Sequence, residues 1–211
     1  MNEQAAAEHL QVIRTLMERS AVYRRALAPI TLFIGILGLV AAAGAWLFAI
    51  QSASGFITYW LAVNLIGWPG AFLLARRQAI KDREPFWSPP ARRVVQAMLP
   101  SLLAGLMAAS VFRLVAVQDT QLVWWLLPIW MVLYGLALYG AGFFMPRGIR
   151  LFGWLFLLSG LAVSVILAIK STSDALPPLV LAHCLMGVSF GGGHLAYGAY
   201  LYLTEKRKNV A

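Results

Sequence analysis

Long apolar runs separated by short polar segments dominate the chain. They fall at about residues 28–50, 56–75, 94–116, 122–145, 149–169 and 179–203, and only Arg113 and Arg150, each near an end, bring a formal charge into them. At 1.5 Å rise per residue each run is long enough to cross a bilayer core of about 30 Å as a helix. In hydrocarbon every backbone N–H and C=O must be paired within the protein, which leaves helices or closed barrels. The pattern therefore predicts an all-α polytopic membrane protein with six transmembrane helices. Pro29 falls in a first turn, where a missing N–H costs nothing, and Pro69 predicts a kink in the second span. Ahead of the first span, Leu10, Ile13, Met17 and Ala21 recur at helical spacing among charged residues. They predict an N-terminal amphipathic helix, lying in the headgroup layer or binding a partner. The expected division is 1–26 as a cytosolic or interfacial helix, 27–203 as the membrane domain and 204–211 as a cytosolic basic tail.

Charge then orients the chain. The connections alternate between basic and nearly uncharged. On one side lie Arg14, Arg19, Arg24 and Arg25; Arg76, Arg77, Lys81, Arg83, Arg92 and Arg93; Arg147 and Arg150; and Lys206, Arg207 and Lys208. Those are fifteen of the seventeen Lys and Arg residues, and only Arg113 and Lys170 fall opposite. The positive-inside rule puts both termini in the cytoplasm. The net charge of +9 thus reads as retention signals and lipid-headgroup contacts rather than a nucleic-acid surface. A composition 61% hydrophobic and 12% charged, with mean hydropathy +0.75, agrees with one membrane domain. No apolar run occurs in the first 25 residues, so no cleavable signal peptide is expected.

A weak internal periodicity accompanies the spans. Gly38-Leu39, Gly105-Leu106 and Gly160-Leu161 mark the odd ones, and Gly70-Ala71, Gly140-Ala141 and Gly198-Ala199 the even ones. The pairs are 32, 35 and 38 residues apart, which suggests three helical-hairpin repeats; recurrence of small residues common to membrane helices gives the same pattern.

The last span carries most of the chemistry. It holds His183, the single cysteine Cys184, the run Gly191-Gly192-Gly193, His194 and Tyr197. In a regular helix His183 and His194, eleven residues apart, fall within roughly 20° of each other, with Gly187, Gly191 and Gly198 on or near the same stripe. That stripe is expected to face the bundle. His194 reads either as a contact for a ligand, proton or haem, or as one end of an interhelical hydrogen bond. His183, Asn64, Gly187, Gly191 and Tyr197 complete the candidate ligand- or partner-binding set. Asn64, in the middle of span two, has an amide to satisfy in hydrocarbon and is expected to face another helix, as structural glue or to orient a substrate. Tyr134, Tyr139 and Tyr197 read as belt or packing residues. No Asp or Glu lies within a span, and no Walker, H-E-x-x-H or G-x-S-x-G motif or cysteine pair occurs. No catalytic residues, no metal site and no cofactor are therefore expected, with a single-histidine haem at His194 as the exception kept open.

Ile13-Arg14-Thr15-Leu16-Met17-Glu18-Arg19-Ser20 before the first span, and His194-Leu195-Ala196-Tyr197-Gly198 in the last with its short basic tail, carry a resemblance. On these segments the chain resembles an uncharacterised family of small multipass bacterial inner-membrane proteins. The resemblance implies a bacterial cytoplasmic membrane and a six-helix bundle, and no reaction. The expected function is a non-enzymatic integral membrane protein binding a protein partner or small hydrophobic ligand within the membrane, as a sensor or accessory subunit. Its partners are the lipid bilayer and a second copy or another membrane protein. A small-solute transporter or facilitator is the alternative, a haem or quinone protein the third reading, and a lipid-modifying enzyme the fourth. Moving arginines from residues 76–93 into the 51–55 turn should yield mixed topology, read by cysteine accessibility in intact cells; unchanged accessibility would refute the charge argument.

Overall fold

The computed structural model describes residues 26–115, 120–173 and 176–208. The amphipathic segment and the end of the basic tail lie outside them. All the regular structure described is helical: α1 (Ala26–Leu47), α2 (Ala53–Lys81), α3 (Pro89–Val115), the short α4 (Thr120–Val123), α5 (Leu126–Ala141) and α6 (Arg147–Ser173). The last span is α7 (Leu179–Met186), a π-helical segment (Gly187–Gly192) and α8 (Gly193–Lys208). Six helices are long and apolar enough to cross a membrane, at the six places the hydrophobic pattern marks. Boundaries move where backbone chemistry intervenes. The fourth stops at Ala141 rather than 145, because the chain turns at Gly142, and Trp124 and Trp125 sit in a turn between α4 and α5.

Helix ends here position functional atoms. Ser52 starts α2 by accepting the Gly55 N–H at its hydroxyl (3.1 Å). Both α1 and α2 end in a residue held in the left-handed region, Ala49 (φ 48°) and Arg83 (φ 55°). The next amide reaches back to the last turn, Ile50 N–H to Ala45 O (3.1 Å) and Glu84 N–H to Ala79 O (2.9 Å). This is the Schellman end, in which glycine usually takes the left-handed position. A Cβ there costs roughly 1–2 kcal/mol, and at Ala49 the bend brings the Ile50 carbonyl within reach of the last span.

Two glycine contacts hold the bundle. The first joins α1 to the last span. A Cβ on Gly35 would lie 2.6 Å from the Leu195 nitrogen, one on Gly38 2.8 Å from the Gly191 Cα, and one on Gly191 2.7 Å from the Leu39 nitrogen. Further along, Gly198 faces Thr31, whose hydroxyl donates to the Leu27 carbonyl (2.8 Å). The second joins α5 to α6: a Cβ on Gly135 would meet the Gly153 carbonyl, and one on Gly153 the Tyr139 nitrogen, each at 2.7 Å. Lipid tails are as apolar as leucine, so helices in a bilayer gain from dispersion and short backbone approach, which only small residues permit.

The remaining helices attach by side chains. Trp130 on α5 donates to the Gly105 carbonyl of α3 (3.0 Å), and Tyr59 on α2 to the Ala41 carbonyl of α1 (2.6 Å). At the end away from the 76–93 connection, Trp124 donates to the Pro177 carbonyl (2.8 Å) and Gln121 accepts from the Leu176 N–H (2.6 Å), tying α4 to the entry of the last span. By contrast α2 and α3 barely touch each other. The glycines of the proposed repeat do not share one environment: Gly70 meets Phe33 and Gly140 meets Ala97 within their own hairpins, whereas Gly198 turns to α1.

Adjacent glycines offer a direct test. A Cβ on Gly192 would find nothing nearer than the Gly187 carbonyl at 4.0 Å. Gly191→Ala should therefore destabilise the fold by about 1–3 kcal/mol, the usual range for an overpacked site, while Gly192→Ala should be close to neutral. Thermal unfolding of the two variants in one detergent reads the difference, and equal melting temperatures would refute the backbone contact.

Candidate functional site

His183 and His194 are both buried, each 1% exposed, but they do not share a face of the bundle. The π segment lies between them. A turn closed i→i+5 instead of i→i+4 inserts an extra residue and rotates everything beyond it by about 100°. The expected common stripe is therefore split. His183 points at α2, His194 at α5 and α6, and the glycines between them at α1.

His183 has a fixed tautomer. An indole N–H can only donate and a carbonyl can only accept. Trp60 Nε1–H donates to His183 Nδ1 (3.0 Å), so His183 Nε2 carries the proton and donates to the Ile50 carbonyl (3.0 Å). The ring lies among Phe56, Tyr59 and Trp60, with centroids 4.8, 6.0 and 6.1 Å away. One neutral imidazole thus joins the last span, α2 and the α1–α2 connection, all its hydrogen bonds made.

His194 is locked the opposite way round. Its Nδ1 faces the Phe190 carbonyl one turn earlier (2.6 Å) and must donate there, which leaves Nε2 to accept from the Tyr134 hydroxyl (2.6 Å). Phe152 and Phe156 of α6 pack against the ring at 5.0 and 5.6 Å between centroids. An iron at Nε2 would have to displace Tyr134. A ligand recognised through either ring nitrogen would likewise have to break an existing bond in a closed aromatic shell.

The other predicted residues sit apart. Tyr197 stacks on Phe152 (4.8 Å, planes 14° apart) with its hydroxyl against Gly148. Gly187 and Gly191 form the seam with α1 and are unavailable to a ligand. Cys184 is exposed. Asn64 departs from expectation. It is exposed instead of facing another helix, and its Nδ2 donates to the Trp60 carbonyl of its own helix (2.9 Å). No group of three metal-ligating side chains occurs among the described residues. An open surface depression at the start of α3, lined by Pro89, Arg92, Arg93 and Gln96, includes none of the predicted residues.

Trp60 and the Tyr134–His194 bond were not legible as site chemistry. Tyr134 reads as a belt or packing residue from its place in the span, and nothing in the sequence around Trp60 marks it. Only the fold shows that each supplies the proton a histidine nitrogen needs. Against protein-family models, curated proteins and solved structures, the chain has no match.

Tyr134→Phe removes the donor and keeps the ring, whereas Trp60→Phe removes the indole N–H together with part of a buried ring system. Tyr134→Phe should cost about 1–3 kcal/mol, the penalty for a buried acceptor left unpaired, and Trp60→Phe should cost more, because the smaller ring also leaves a cavity. In the double variant the two losses should add, because the bonds share no partner. Unfolding free energies in micelles check this, and a loss below the error at Tyr134→Phe would remove the His194 bond from the account of stability.

Proposed function

We propose that this chain is a non-enzymatic integral membrane protein of a bacterial cytoplasmic membrane, with both termini inside the cell, acting as an accessory subunit that binds a protein partner within the bilayer. The lopsided basic residues support the orientation, and the family resemblance supports the membrane. Of the two arms of the expectation, partner or small hydrophobic ligand, the geometry supports the first. One contrast carries it: both imidazoles are consumed inside the bundle, while the mid-span amide of Asn64 faces outward on the sparsely packed α2. Intramembrane polar groups normally face protein or water, since hydrocarbon offers no hydrogen bond. No cofactor takes part in this reading.

A photo-crosslinking residue at Phe72, on the exposed face of α2, should give protein adducts in native membranes. The same probe at Leu158 on the exposed face of α6 should give lipid adducts only. Equal yields of protein adducts, or none at Phe72, would overturn the partner-binding reading.

The π segment between the two histidines favours a second reading, a small-solute facilitator, because π turns recur at functional positions and give a helix two ways to close its hydrogen bonds. Solute flux into proteoliposomes that vanishes in His194→Ala would establish it.

A further inference from the structure

The exposed amide also points to a particular partner. Resting on the partner-binding reading above, we propose that α2 pairs with α2 of a second copy of this chain, Asn64 against Asn64. The amide has two N–H donors and a carbonyl with two lone pairs. Nδ2 donates to the Trp60 carbonyl, and among the described residues Oδ1 accepts nothing. Around it the surface is apolar and wide: Leu65 is 76% exposed, Trp68 52% and Phe72 51%. Acyl chains can cover those side chains but cannot bond the amide. The protein's own α3 does not supply the missing group, since the two helices hardly meet.

Two features make a second copy the occupant. A primary amide is complementary to itself, so two copies facing across a two-fold axis satisfy each other with N–H to O=C bonds in both directions, and no different group has to be found. Copies inserted with one orientation also hold their α2 helices parallel, which brings equal residue numbers to equal depth. Asn64 of one copy therefore meets Asn64 of the other near the middle of the bilayer, where a hydrogen bond has least competition from water. Asn64, Leu65 and Trp68 line the contact, with Phe72 further along. The seam of Gly67 and Gly70 stays on α1, where Leu37 and Phe33 occupy it, so dimerisation leaves the bundle unchanged.

The test uses the full chain with Cys184→Ser, reconstituted in liposomes at graded protein-to-lipid ratios. Oxidative crosslinking should join two copies through Leu65→Cys or Trp68→Cys and not through Leu158→Cys on α6. Energy transfer between labelled copies should show a dimer whose dissociation constant rises roughly tenfold in Asn64→Leu, the scale of two interhelical hydrogen bonds of average strength. Asn64→Gln, which keeps the amide, should restore most of the affinity, and an unchanged melting temperature shows that Asn64→Leu still folds. Wild-type protein that stays monomeric at every ratio, an Asn64→Leu dimer as tight as wild type, or equal crosslinking at Leu158→Cys would each overturn self-pairing. Adducts of the Phe72 probe to a different protein, with monomeric wild type, would overturn self-pairing alone and leave the partner-binding reading standing. The absence of adducts would remove both.

Discussion

The backbone contact between α1 and the last span is the constraint on which the rest depends. Where Gly38 meets Gly191, a single methyl group on either side would fall inside van der Waals distance of main-chain atoms. Main chain cannot rotate aside as a side chain does, so this contact admits one separation and one register. In a bilayer such approach replaces the hydrophobic drive that assembles soluble bundles. It also occurs in the segment where the last span is π-helical, so the site of closest approach and the change of helical phase coincide.

From that phase change follows the division of labour between the histidines. One imidazole accepts from Trp60 and donates to Ile50; the other accepts from Tyr134 and donates to Phe190. Each is a neutral ring with one donor and one acceptor, placed so that only one tautomer satisfies both neighbours. Polar networks of this kind specify a unique arrangement in low dielectric, because any slip leaves a buried group unpaired. Even the end of α1 contributes. Ala49 adopts a conformation that suits glycine better, and the Ile50 carbonyl beyond it receives the His183 proton.

Packing is unequal within one chain. The last span and α5 are gripped on several sides, and α6 is held to α5 by glycines and to the last span by aromatic rings. Beyond Trp60, α2 exposes Leu65, Ile66, Trp68, Phe72 and Leu73 beside the mid-span amide of Asn64. α3 is covered as little, with Gly105 and Ala109 its only buried residues, so the two helices share the open side of the bundle.

Much of this was legible in the residues themselves. Six apolar runs, charged only near the ends of two, have the length at which a helix crosses hydrocarbon, and the glycine stripe of the last span marked a close contact that the fold assigns to α1. The burial of both histidines also followed, since a bare imidazole is costly in lipid. Their partners did not follow, nor did the splitting of their common stripe. The π turn over Gly187–Gly192 is a local change of hydrogen-bond closure that no spacing of residue types encodes. The outward aspect of Asn64 was hidden for a related reason. A helix apolar on every side carries no periodic signal of which face is covered, so inside and outside are decided only when the other helices have taken their places.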